Sequence, residues 1–179
     1  MNFKKILLPL IALTFSIVFI SCNNGSSEKN EAAETKAQQA SESTRPDTSK
    51  TITVLPAVVK KFVAKNYTGY TIIKAASDPL CKGGDAIDVA ITKAGASNLS
   101  VIFKPDASFV QQEEYVPMST ATDKIKNALK TKYADYSAGN QIEKLILADK
   151  TIQYLVDQSK GKVSKEVIFN MEGNVVCEN

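Results

Sequence analysis

Glu113 and Glu114 are adjacent acids, Asp78 and Asp85 flank Gly83-Gly84, and Cys81 and Cys177 are the cysteines left once Cys22 is set apart. These are the side chains whose chemistry the sequence puts forward. Neighbours on a strand point to opposite faces, so Glu113 and Glu114 cannot work together as an acid–base pair. They read as solvated charges on a strand edge. Asp78 and Asp85 match no calcium loop in spacing or ligand number. The chain has no histidine, which excludes His-based triads, imidazole acid–base chemistry and His metal sites. No catalytic residue, metal site or cofactor is expected. Two thiols in an oxidising compartment invite a disulfide. Cys81 lies in the loop 79–84 and Cys177 in the last strand, and the sequence leaves open whether they bridge or stay free.

Cys22 carries a different chemistry. Lys4 and Lys5 precede an apolar run from Ile6 to Ile20, and Ser21 stands directly before Cys22. The run is shorter than the roughly 20 residues that span a bilayer, and Pro9 interrupts it. A small residue before a cysteine at the end of such a run resembles a lipobox, the bacterial lipoprotein processing site, with Phe19 where the strict pattern has Leu. The alternative is ordinary signal cleavage. Residues 1–21 are therefore expected to be a lipoprotein signal peptide and Cys22 the lipidated residue. That would hold the chain in the cell envelope, on the periplasmic side of the outer membrane or at the cell surface. Residues 23–50 contain no Val, Ile, Leu, Met, aromatic residue or Cys, and carry five acids against four bases. Such a segment cannot bury enough apolar surface to offset chain entropy, so 22–50 is expected to be a disordered tether. Its reach as a coil is about 30 Å.

Charge narrows the partners. The chain has 22 basic and 19 acidic residues. Loss of residues 1–21, which contain Lys4 and Lys5, leaves 20 and 19. A near-neutral chain lacks the basic stripe that nucleic-acid binding requires.

The remainder, 51–179, repeats. A shift of 66 positions superposes Lys60 on Lys126, Tyr67 on Tyr133, Tyr70 on Tyr136, and Val101-Ile102-Phe103 on Val167-Ile168-Phe169. One residue of slip lets Ile87, Val89 and Ile91 meet Ile152, Tyr154 and Val156. This predicts an α+β fold of two tandem α-β-β-β-β repeats, 51–117 and 118–179. Each is a helix on a four-stranded antiparallel sheet, the two merging into one larger concave sheet. Pro56 suits the start of the first helix, with Leu55, Val58, Val59, Phe62 and Val63 on its apolar face. Thr120 or Thr122 caps the second, whose face of Ile125, Ala128, Leu129 and Tyr133 is thinner. Short turns then join antiparallel strands near 71–76, 86–92, 98–104, 109–115, 140–148, 151–157, 163–169 and 174–178.

Alternation assigns the faces. Leu99, Val101, Phe103, Ile87, Val89 and Ile91 point toward the first helix, and Val167, Phe169, Ile152, Tyr154 and Val156 toward the second. The other face carries Asp88, Ala90, Thr92, Ser100, Ile102 and Lys104, then Gln153, Leu155, Asp157, Glu166 and Ile168. This mixed surface is expected to meet water and to form the binding face.

The string Leu55-Pro56-Ala57-Val58-Val59-Lys60-Lys61-Phe62-Val63-Ala64-Lys65-Asn66-Tyr67-Thr68-Gly69-Tyr70-Thr71-Ile72 resembles the start of PepSY-like domains of Bacteroidetes lipoproteins and periplasmic proteins. Val101-Ile102-Phe103-Lys104-Pro105-Asp106-Ala107-Ser108-Phe109 resembles their terminal hairpin, with Ala107 where that family has Gly. In the second copy Ala121-Thr122 replaces Leu-Pro. The resemblance implies a fold similar to the beta-lactamase inhibitor protein, a binding or inhibitory module, and no catalytic residues. The function it implies is a membrane-anchored, non-catalytic module that binds a protein partner through the open sheet face. A small-molecule or lipid carrier would instead need a closed apolar cavity, and a structural envelope role needs neither. An enzyme would need a carboxylate pair that the spacing does not supply.

Overall fold

A computed structural model of the chain describes residues 50–179; the expected signal, Cys22 and nearly all of the expected tether lie outside these residues. Pro56 stands at the N-cap of α1, Ala57–Asn66, and the helix ends at Tyr67, whose N–H donates to the Val63 carbonyl at 2.9 Å. Gly69 follows at φ 82°, a left-handed conformation that favours glycine. α2, Asp123–Lys132, is capped by Thr122, whose Oγ1 accepts from the Ile125 N–H at 3.2 Å. Thr120, the other candidate cap, donates its hydroxyl to the Pro117 carbonyl.

The strands are β1 Lys50–Thr51, β2 Thr71–Pro79, β3 Asp85–Thr92, β4 Leu99–Phe103, β5 Phe109–Pro117, β6 Ser137–Ala138, β7 Gln141–Leu147, β8 Ile152–Lys160, β9 Val163–Asn170 and β10 Val175–Glu178. They form one ten-stranded sheet in the order β1-β2-β3-β4-β5-β7-β8-β9-β10, with β6 on β8. The ladders are antiparallel; the two- to six-residue connections within β2–β5 and within β7–β10 require this, whereas β1 reaches β2 through α1 and β5 reaches β7 through α2. Lys50, the last residue of the expected tether, already pairs with Ser77 in β1.

Both helices cover one face. The register carries that face across the sheet from Val101 to Gln112, Ile146 and Ile152. Under α1 the core is Val59, Val63, Val89, Ile91, Val101 and Phe103, with Phe62 partly buried against it. Under α2 it is Ile125, Ala128, Tyr154, Val156, Val167 and Phe169. Positions 66 apart take equivalent places: Val59 and Ile125, Val101 and Val167, and Phe103 and Phe169 are all fully buried. The Tyr67–Tyr70 and Tyr133–Tyr136 ring pairs meet edge to face at 6.2 and 6.4 Å. Val58, expected on the apolar face of α1, is 57% exposed. Its position, one residue before Val59, places it to the side of the α1 contact.

The sheet is rolled. β2 and β10 are seven strands apart, which in a flat sheet is about 34 Å. Yet Cys81, two residues past the end of β2, is bridged to Cys177 in β10 with Cα atoms 6.2 Å apart. Two extended residues span at most about 7 Å, so the ends of the sheet curve toward each other.

Curvature changes the helix-free face. Ile102 and Ile168, expected to meet water, are 4% and 9% exposed. With Ala76, Ala86 and Leu145 they are buried apolar residues that belong to neither helix-side core. They make a third apolar layer on the concave side. β5 is a central strand between β4 and β7, so the edge position expected for Glu113 and Glu114 is corrected as well.

Candidate functional site

The concave face holds a cavity of about 310 Å³. Residues of seven strands, β2 to β5 and β7 to β9, line it, together with Leu80 and Cys81 from the loop after β2. Of the residues expected on the binding face, Asp88, Ala90, Ser100, Ile102, Leu155, Glu166 and Ile168 line the cavity. Thr92, Lys104, Gln153 and Asp157 lie outside the lining: Lys104 is exposed in the turn after β4, and the other three are partly buried.

Three cross-strand rows build the site. One runs from Lys74 through Ala90, Ser100, Glu113 and Leu145 to Gln153. The next runs from Ala76 through Asp88 and Ile102 to Gln111. The third runs from Tyr115 through Glu143, Leu155 and Ile168 to Cys177. Asp157 and Glu166 face each other beyond the third row. Asp78, opposite Ala86, has the same parity, so among the described residues six carboxylates, those of Asp78, Asp88, Glu113, Glu143, Asp157 and Glu166, share a face on which the strands supply one base, Lys74.

Their electrostatics follow from crowding and burial. The Glu143 carboxyl is pushed up to about 7 by burial, and the charges of Asp157, Glu166 and Asp88 add to this against the lowering effect of a hydrogen bond from the Tyr115 hydroxyl. Burial holds Glu113 well above the usual carboxylate range and the neighbouring Glu143 charge raises it further, while Gln111 opposes this by donating to Glu113 Oε1 at 2.7 Å. Burial also raises Asp88, partly offset by a hydrogen bond with Ser100. Asp88 Oδ1 is buried without a hydrogen-bond partner. Tyr115 is held above its ordinary value, first by burial and then by the Glu143 charge. A cation entering the cavity would relieve these groups together, because each opposite charge favours the ionised carboxylate. Among the described residues no group of His, Cys, Asp or Glu has the arrangement to hold a metal ion.

Glu143 and Tyr115 were missed by sequence reasoning, and Glu113 was read as a solvated edge charge. Parity could have placed Glu113 with Gln111 and Tyr115 on one face of β5. Glu143 joins them only through the pairing of β5 with β7, a contact between the two halves that no local pattern announces.

Comparison with known proteins finds no matching family model and no matching curated protein. Solved structures match in fold. A DUF2874 family protein from Bacteroides uniformis is 15% identical, with a TM-score of 0.52 over 70% of this chain and 89% of that one. A BLIP-like protein from Bacteroides fragilis is 16% identical, with a TM-score of 0.51 over 71% of this chain and 88% of that one. A protein provisionally assigned to the periplasm of Bacteroides eggerthii is 15% identical, with a TM-score of 0.53 over 70% of this chain and 88% of that one. The chain shares the α+β fold of a BLIP-like protein: one antiparallel sheet with two helices on one face.

Proposed function

We propose that this chain is a non-catalytic binding module of the cell envelope that captures a basic segment of a partner protein in the acidic cavity of its rolled sheet. The observation that carries this reading is the gathering of six carboxylates on the concave face around an apolar floor. Charge complementarity selects a Lys- or Arg-bearing segment and disfavours nucleic acid. The apolar lining of Ile102, Leu155 and Ile168 suits the aliphatic stem of such a side chain. Lipidation at Cys22 and the tether would hold the module at the membrane, and the provisional periplasmic assignment of one fold neighbour supports an envelope location. The 66-residue shift and the equivalent burial of its partners support tandem PepSY-like repeats, 51–117 and 118–179. The BLIP-like neighbour makes an inhibitor-like role a natural form of the same binding.

A lipid carrier is disfavoured because the cavity is lined by acids and lies at the small end of ligand sites. One observation favours a second reading, acid–base catalysis: the buried Glu113 and Glu143 carboxyls are both raised, each first by burial, with the Glu143 charge raising Glu113 further. Two-dimensional NMR of the protein titrated with hexalysine tests the binding reading. Binding should shift amide signals of β5 and β7, and Glu113→Gln with Glu143→Gln should abolish the shifts. Shifts confined to the helix side would sink the proposal.

A further inference from the structure

Cys81 and Cys177 are 96 residues apart in sequence and belong to elements at opposite ends of the strand order. Each belongs to an element that other bonds hold in place. The Leu80–Gly84 loop closes on itself: the Leu80 N–H donates to the Gly84 carbonyl at 2.9 Å and the Gly83 N–H to the Leu80 carbonyl at 2.8 Å. β10 pairs with β9, and the Tyr133 hydroxyl donates to its Glu178 carboxylate at 2.6 Å from the helix side. Neither cysteine belongs to either helix-side core. The covalent bond therefore fixes how the two ends of the sheet meet. It does not fix how either end is built. Cys81 also lines the cavity, and both cysteines are partly exposed, so a small reductant can reach them.

We propose that the Cys81–Cys177 disulfide is a reducible clasp that holds the rolled sheet closed around its cavity, and that a dithiol reductant opens the cavity along β10. A thiolate of the reductant attacks one sulfur, the S–S bond breaks, and a mixed disulfide forms. The second thiol of the reductant then displaces the protein cysteine. Two electrons and two protons pass to Cys81 and Cys177, and the reductant leaves as its own disulfide. For its consequence alone this inference rests on the binding reading above: the closed cavity admits a side chain, and the opened one a longer segment.

Hydrogen exchange of the full chain, with and without dithiothreitol, tests the clasp. Reduction should free two thiols, so that two more alkyl groups are taken up than in the oxidised protein. Exchange in 78–86 and 175–178 should rise about tenfold while α1, α2, β4 and β9 stay protected. Cys81→Ser combined with Cys177→Ser should give the same pattern without reductant. Unchanged exchange at both segments would overturn the proposal, because the rims would then hold without the bond. Loss of protection throughout would also overturn it, because the bond would then be a structural staple. Hexalysine titration in both redox states is read separately: local opening with no peptide bound in either state upholds the clasp and defeats the cationic-ligand reading.

Discussion

Ala107 and Gly173 stand 66 residues apart and both take a left-handed backbone, at φ 66° and 75°, in the hairpins β4–β5 and β9–β10. Only one of the two positions uses the residue that this conformation favours. The Ala107 turn is held by its N–H donating to the Lys104 carbonyl at 2.8 Å and by Asp106 accepting from the Ser108 N–H and hydroxyl.

Ala107→Gly should therefore stabilise the protein by about 1 kcal/mol, the penalty an L-residue carries in that region. Gly173→Ala should destabilise it by more, since an added Cβ would sit 2.7 Å from the Lys124 carbonyl oxygen. Urea midpoints at constant slope measure both. Equal and small effects would show that these turns are not under the same constraint.

Phe62 and Ala128 are also 66 apart and differ in what they bury. The Phe62 ring lies 5.3 Å from Phe103 and 5.1 Å from Phe109, whereas Ala128 offers a single methyl group to the second core. Phe62→Ala should cost about 3 kcal/mol and Ala128→Gly about 1 kcal/mol. Thermal unfolding of both variants checks the ratio.

Ile102 and Ile168 mark where sequence reasoning stopped. Alternation turned them correctly to the helix-free side, because period two is a local property of a strand. It could not show that the side is enclosed. That depends on β5 pairing with β7 and on Cys81 reaching Cys177, both contacts between the halves. The two helices, the eight longer strands and the helix-side cores around Phe103 and Phe169 were legible from spacing, whereas the two-residue strands β1 and β6 were not. Glu113 and Glu143 were not legible as neighbours, since no local signal fixes a pairing register between distant strands. Ile102→Ala and Ile168→Ala should now each cost about 2–4 kcal/mol, where a solvated face would tolerate them.

Stability should depend on pH through the same face. Glu143 is raised from 4.5 to about 7, so between these values the folded state keeps a proton that the unfolded chain has released. The folded state then binds more protons, and stability falls as pH rises. The contribution is complete below about pH 4.5, fades as pH climbs through 7, and is of order 3 kcal/mol. Glu143→Gln should flatten the profile and raise stability at pH 8. A steeper decline in the variant would place the burden elsewhere.

Calorimetric titration of hexalysine into the protein at pH 7, in buffers of different ionisation enthalpy, tests the central claim most directly. Cation capture should release protons from Glu143 and Glu113, so the observed heat should change with the buffer. Affinity should weaken with added salt and fall at least about tenfold in the Glu113→Gln, Glu143→Gln double variant. The opposite result would be hexalysine binding with no proton release and with the same affinity in the double variant, which would contradict an acidic cavity as the binding site.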